Sequence, residues 1–153
     1  MLRKSGLNTV FATVLTLMLS APAQAAEGKR IQVTGEVMDT WCYVSQVMGG
    51  ADFVLGSAHH TCAVWCAAGG VPVGIRTDDD KVYMVLKFGE DNDNVANLGV
   101  LDVQSRKVSV DGTLHERDGI NYLLVDKIVD DKGIVNLTHE QIGVLPPFAI
   151  PKQ

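Results

Sequence analysis

The sequence predicts a mainly β protein, a five-stranded OB-like Greek-key barrel with a helical insertion after its first strand. Two observations favour this fold class. Five segments have the alternation of apolar and polar residues, or the β-branched composition, that is typical of strands. A short helical stretch separates the third strand from the fourth, which is the layout of an OB-like barrel. A small open β-sandwich is the alternative that fits the same order of elements.

The five strands are predicted from pattern and from turn residues. Asp78-Asp79-Asp80 separates the second strand from the third, and Asp118-Gly119 between the fourth and the fifth is a strong two-residue hairpin signal. Val95, Leu98 and Leu101 have helical spacing and predict a short helix or turn within 91–101. The predicted strands are 31–38, 71–77, 81–88, 106–116 and 120–129.

The segment between the first two strands, about residues 39–70, is unusually long for such a barrel. Glycines interrupt its first half, and a helix is predicted from Ser57 to Ala68, with Ser57 as its N-cap and Gly69-Gly70 at its end. All three cysteines of the chain lie in this insertion. Because long insertions in compact domains often carry function, we expect the functional site here.

The first 25 residues have the features of a secretory signal peptide. Arg3 and Lys4 precede an apolar run of about 13 residues, and Ala23-Gln24-Ala25 forms a small-x-small cleavage site. An uncleaved membrane anchor is the alternative, but a spanning helix needs about 20 apolar residues. The sequence therefore predicts a cleaved signal, 1–25, and a single OB-like domain, 26–153, in the periplasm or secreted.

Charge and motifs exclude several classes of function. Without the two basic residues of the signal, the remaining chain has a net charge of about −7 and no basic run. Nucleic acids are therefore not expected partners, and neither is a membrane once the signal is cleaved. No Ser-His-Asp set, phosphate-binding loop or catalytic carboxylate pair is evident, so a binding protein is expected rather than an enzyme.

Four residues of the insertion form a candidate metal site. On a helix, His59, Cys62 and Cys66 fall within an arc of about 60°, and Cys42 follows directly after the first strand. Three cysteines and one histidine are a known ligand set for structural zinc, and thiolates also bind Cu(I). The sequence thus predicts zinc or copper bound by Cys42, His59, Cys62 and Cys66, with a structural, storage or delivery role.

Other interpretations of these residues remain open. His60 is an alternative ligand, and Asp39 is expected either to orient His59 or to cap a turn. In an oxidising compartment, Cys42 can instead form a disulfide with Cys62 or Cys66, which would give a disulfide-stabilised accessory or interaction module without metal. A thiol redox protein is the third interpretation. A further periplasmic protein is a possible partner in each case.

Three segments together resemble a family of small exported bacterial proteins of unassigned function. The segments are Gly35-Glu-Val-Met-Asp39-Thr-Trp-Cys42, His59-His-Thr-Cys62-Ala-Val-Trp-Cys66 and Gly70-Val-Pro72-Val-Gly74. The family pattern has a Gly-x-Val-x-Asp start, a His-x-x-Cys-Ala-x-x-Cys segment and a Gly-x-Pro-x-Gly exit. The resemblance implies that His59, rather than His60, is the site histidine, and it is consistent with an OB-like core.

Overall fold

A computed structural model describes residues 27–89, 98–139 and 143–144, and it contains a closed five-stranded barrel. The strands are hydrogen-bonded in the order β1-β2-β3-β5-β4, with β4 returning to β1. All pairs are antiparallel except β3 with β5. This topology, with a helix between β3 and β4, confirms the predicted OB-like barrel. Its strands are β1 Lys29–Asp39, β2 Val73–Arg76, β3 Val82–Phe88, β4 Lys107–Arg117 and β5 Ile120–Asp131.

The hairpin between β4 and β5 forms where the sequence predicts it. Asp118 and Gly119 have φ angles of 53° and 80°, so both central residues of the turn are left-handed. Such a turn matches the twist of the two strands that it joins. The β4–β5 ladder that this turn joins extends from the Arg117–Ile120 pair to the Val108–Asp131 pair.

The insertion between β1 and β2 contains two α-helices and a 3₁₀ helix, and a third α-helix lies between β3 and β4. These segments are α1 Thr40–Ser45, the 3₁₀ helix Ala51–Val54, α2 Gly56–Ala68 and α3 Leu98–Asp102. Helix α1 and the 3₁₀ helix were not predicted, because glycines and short runs obscure their pattern. Two short strands, β6 Thr138–His139 and β7 Gly143–Val144, pair near the end of the described chain.

The predicted helix of the insertion is confirmed, but its start differs. Helix α2 begins at Gly56, with Leu55 at the N-cap and no side-chain cap, so the expected role of Ser57 as N-cap is wrong. The Ser57 amide instead donates to the carbonyl of Asn136 at 3.0 Å. A distant backbone oxygen thus satisfies one of the first free N–H groups of the helix.

The end of β1 lies between two separate apolar clusters. Val33 and Val37 point into the barrel, where they pack with residues from the other strands, such as Ile75 and Leu123. Met38, the neighbour of Val37, points outward into a second cluster beneath the insertion. Successive residues of a strand face opposite sides of the sheet, so the last three residues of β1 are buried on both faces. The second cluster comprises Met38, Cys42, Val54 and Leu55.

Some predictions fall outside the described residues. The signal peptide and its cleavage site lie in 1–26, and the first part of the helix expected at 91–101 lies in 90–97. Among the helices that the structure describes, none has the length and apolar character needed to cross a bilayer.

Candidate metal centre

Asp39, the last residue of β1, begins the site. It is fully buried and caps helix α1, because its Oδ1 accepts the amide N–H of Cys42 at 3.0 Å. An aspartate at this position is a preferred N-cap, and its negative charge also favours a helix start. The cap places the Cys42 side chain next to the Asp39 carboxylate. Cys42 is itself buried, with 4% of its surface exposed.

Helix α2 brings two more cysteines to the same place. Cys62 and Cys66 are one turn apart on one face, and their Sγ atoms are 4.0 Å apart. Cys62 is exposed, whereas Cys66 is half-buried between it and the protein interior. The three thiols therefore form a gradient of exposure from Cys62 through Cys66 to Cys42. All three are free thiols in this structure.

These residues together form a cluster of potential metal ligands. One carboxylate oxygen of Asp39 and the Sγ atoms of Cys42, Cys62 and Cys66 all lie within 4.8 Å of one another. Such a cluster could hold a metal ion. Three of the four residues predicted as ligands, the cysteines, are thus brought together, as the helical spacing and the position of Cys42 indicated.

His59 lies next to this cluster but contacts it through Asp39. Its Nε2–H donates to Asp39 Oδ2 at 3.2 Å, and the imidazole is only 1% exposed. The expectation that Asp39 orients His59 and the expectation that it caps a turn are both confirmed. The four-ligand set that includes His59 stays a prediction. His60, the alternative histidine, points elsewhere, since its Nδ1 donates to the Gln104 carbonyl at 3.0 Å.

Hydrogen bonds keep the Asp39 carboxylate ionised although it is buried. Burial by itself would raise the pKa of Asp39, but hydrogen bonds from the Cys42 thiol and amide, from His59 and from Cys66 outweigh it. The pKa of Asp39 therefore lies below its ordinary value. A buried carboxylate with this many donors is a fixed negative charge beside the thiols.

The same arrangement raises the pKa of the two inner thiols. Burial, together with the hydrogen bond to Asp39 and its charge, raises the pKa of Cys42 far above the ordinary range for a thiol. Burial and the charge of Asp39 raise the pKa of Cys66 to about 11. In the absence of a cation these cysteines are thus neutral thiols at pH 7. A bound cation would supply the positive charge that a buried carboxylate and thiolates need.

The fold and the site together define a class: an OB-like barrel whose β1–β2 connection carries a cysteine-rich cluster of potential metal ligands. No protein-family model, no curated protein and no solved structure matches this chain. The resemblance to small exported bacterial proteins therefore stays a prediction.

The presence of Asp39 in the cluster of potential ligands is the feature that sequence reasoning missed. A signal for it exists, because Asp39 stands three residues before Cys42, which is the spacing of an N-cap to the third residue of a helix. The capping hydrogen bond brings the carboxylate of Asp39 to the backbone of Cys42, so the two side chains lie close together. The spacing could therefore have indicated Asp39 as a fourth potential ligand.

Proposed function

We propose that this protein is a periplasmic metal-binding protein that holds a zinc ion with Asp39, Cys42, Cys62 and Cys66. The observation that supports it is the convergence of one carboxylate and three thiols within 4.8 Å. The proposed location follows from the signal-like residues 1–25, and the proposed role is storage or delivery of the ion.

The spacing of the sulfur atoms suits a tetrahedral ion. With a zinc–sulfur distance of about 2.3 Å, two thiolates on a tetrahedral ion lie about 3.8 Å apart. Cys62 and Cys66 are already at 4.0 Å. No two of the four ligand atoms are more than 4.8 Å apart, so the widest separation needs to close by at most about 1 Å to reach this geometry.

The chemistry of the donors favours zinc over Cu(I). Cu(I) is a soft ion that prefers thiolate and thioether ligands, whereas zinc accepts carboxylate oxygen together with sulfur. Asp39 is a buried, ionised carboxylate within this cluster. Copper bound by the three cysteines alone is the second candidate, and it would leave Asp39 without a role as ligand.

The separation of the two apolar clusters supports storage or delivery rather than a purely structural role. Ten buried residues form the core of the barrel, and none of them is a ligand. The cluster of potential ligands lies instead in the insertion and at the adjoining end of β1, with Cys62 exposed to solvent. A metal that is not needed to fold the barrel, and that is reached from outside, can be exchanged.

Zinc titration of single variants against a chromophoric chelator tests this proposal. We expect Cys62→Ser and Asp39→Asn each to weaken zinc binding by at least about 100-fold, because each removes one of four ligands. Asn keeps the cap on helix α1 through its side-chain oxygen. A loss of zinc affinity in Asp39→Asn is therefore caused by the missing carboxylate charge and not by disruption of the helix.

His60→Gln is the matched control, since His60 is on the same helix and bonds to Gln104 rather than to the cluster. It should bind zinc like the unchanged protein. Unchanged zinc affinity in both Cys62→Ser and Asp39→Asn would refute the proposed site. A loss only in the cysteine variant, with tighter binding of Cu(I), would favour the copper alternative.

A further inference from the structure

We infer that Cys62 and Cys66 are also a reactive dithiol, which reduces disulfides in the metal-free protein and closes into a bridge that dismantles the metal site. The substrate class is a small-molecule or protein disulfide. The inference concerns the metal-free state, so it goes beyond the proposed function and does not depend on which metal is bound.

Exposure separates the roles of the three cysteines. Cys62 is exposed and lies on the outer side of the cluster, where an incoming disulfide can reach it. Cys66 is half-buried, with its Sγ 4.0 Å behind that of Cys62. Cys42 is 4% exposed, which prevents direct attack on a substrate. Cys62 is therefore the thiol best placed to attack first, and Cys66 is the neighbour placed to resolve the product.

The exchange occurs in two balanced steps. The Cys62 thiolate attacks one sulfur of a disulfide R–S–S–R, which forms a Cys62–S–S–R bond and releases one R–S⁻ that takes up the proton from Cys62. The Cys66 sulfur then attacks Cys62 Sγ, which forms the Cys62–Cys66 bond, and the second R–S⁻ leaves with the proton from Cys66. The protein loses two electrons and two protons, and the substrate disulfide becomes two thiols.

The end of helix α2 allows this bridge to form. Residues four apart on a helix have Cα atoms about 6.2 Å apart, which is within the range that disulfides span. The two sulfurs must still approach by about 2 Å. Cys66 is two residues from the end of α2, and Gly69 and Gly70 follow, so the last turn can loosen to bring them together. A bridge that distorts its helix is easily reduced again.

Closing the bridge removes two of the four proposed metal ligands. The two sulfurs of a disulfide are no longer thiolates, and thiolate is the form that binds zinc. Conversely, a bound zinc ion would occupy both sulfurs and slow their attack on a disulfide. Metal binding and disulfide reduction are therefore alternative states of the same pair.

The test treats the reduced, metal-free protein with oxidised glutathione, quenches with acid and maps the cysteines by mass spectrometry. We expect a protein lighter by two hydrogens, with Cys62 bridged to Cys66 and Cys42 still alkylatable. Cys66→Ser should accumulate glutathione on Cys62, because the resolving thiol is gone. His60→Gln, on the same helix but bonded to Gln104 rather than to the cluster, is the matched control and should form the bridge at the rate of the unchanged protein.

Several outcomes would overturn the inference. These are a bridge that includes Cys42, a Cys62→Ser variant that reacts within about tenfold of the unchanged rate, or no bridge at all in folded protein. The same sample of the unchanged protein is titrated with zinc. Zinc binding without a bridge overturns only this inference, whereas a bridge without zinc binding supports it and overturns the proposed metal function.

Discussion

At the scale of single residues, Asp39 carries two roles that its position makes compatible. Its Oδ1 caps helix α1 through the Cys42 amide, and its Oδ2 accepts from His59. The remaining lone pairs accept from the Cys42 and Cys66 thiols, and they would become free for a cation when those thiols lose their protons on binding it. Many histidine ligands of metals donate their second ring N–H to a carboxylate, which orients the histidine. Here the buried histidine holds the carboxylate, and the carboxylate is the ligand that we propose.

Substitutions at His59 test whether His59 positions the Asp39 carboxylate or is itself a metal ligand. His59→Leu removes the donor to Asp39 and should weaken zinc binding by about 10- to 100-fold, as loss of a partner behind a ligand does. His59→Gln, whose amide N–H can replace Nε2–H, should recover most of that affinity. Chelator competition measures both. If His59→Gln loses as much affinity as Cys62→Ser, then His59 is itself a ligand, and the Cys42, His59, Cys62 and Cys66 set is correct.

A second residue-scale prediction concerns Glu36, whose carboxylate has one buried oxygen without a hydrogen-bond partner among the described atoms. Burial raises the pKa of Glu36, although Lys107 and the Gly56 amide partly offset it. A carboxyl with a raised pKa stabilises the fold below its unfolded pKa of about 4.5, and this contribution is lost as pH rises through the folded value. Glu36 therefore destabilises the fold at pH 7.

Glu36→Gln should accordingly raise the free energy of unfolding at pH 7, by less than about 1 kcal/mol, and have no such effect near pH 4. Denaturant unfolding at the two pH values measures the difference. Glu116→Gln, at an exposed position of β4, serves as control. Equal effects of Glu36→Gln at both pH values would show that ionisation of Glu36 is not the cause.

At the scale of elements, the position of helix α2 depends on contacts at its N-terminus. Gly56 has φ of +68°, and a Cβ there would overlap the backbone oxygen of Asn136. Its amide bonds to Glu36 and the next amide bonds to Asn136, so the helix start is held by the barrel on one side and by the chain after β5 on the other. This anchorage determines where Cys62 and Cys66 lie relative to Cys42.

Two glycine substitutions test this anchorage. Gly56→Ala combines a left-handed backbone with a steric overlap and should cost about 2–4 kcal/mol of stability. Gly70→Ala has a similar backbone, with φ of +87°, but nothing lies within 4 Å of its Cβ. It should therefore cost only about 1–2 kcal/mol. Equal losses in denaturant unfolding would mean that the Asn136 contact does not hold the helix.

The elements also show what the sequence could predict and what it could not. Strands β4 and β5 and the end of α2 were predictable because alternation, a left-handed turn pair and terminal glycines are local signals. The start of α2 was not, since the amide of its second residue, Ser57, is satisfied by Asn136, which is 79 residues away. The convergence of the three cysteines was predicted from helical spacing, whereas the contribution of Asp39 depends on the cap that it makes.

At the scale of the whole molecule, the barrel and the insertion have separate apolar clusters. The barrel has its own buried core, and the insertion has a smaller cluster that includes Cys42 and covers the last residues of β1. With a metal bound as proposed, this division would allow the insertion to change on metal loss while the barrel remains folded. It also predicts that the barrel and the insertion differ in stability.

Removal of the metal should therefore loosen the insertion but not the barrel. After chelation, amides in α1, the 3₁₀ helix and α2 should exchange hydrogen faster, by about tenfold or more, because the ligands no longer join β1 to α2. Amides in β4 and β5 should keep their protection. Hydrogen exchange with mass spectrometry measures both regions, and collapse of protection throughout the barrel would instead identify the metal as a structural requirement of the fold.

The coordination of zinc in the loaded protein tests the central claim most directly. X-ray absorption at the zinc edge, on protein purified without chelator, should show about three sulfur ligands at roughly 2.3 Å and one oxygen at roughly 2.0 Å. In Asp39→Asn the three sulfur ligands should remain while the short oxygen contact is lost or lengthened. One sulfur ligand or none, or a purified protein that contains no metal and cannot be loaded, would contradict the account.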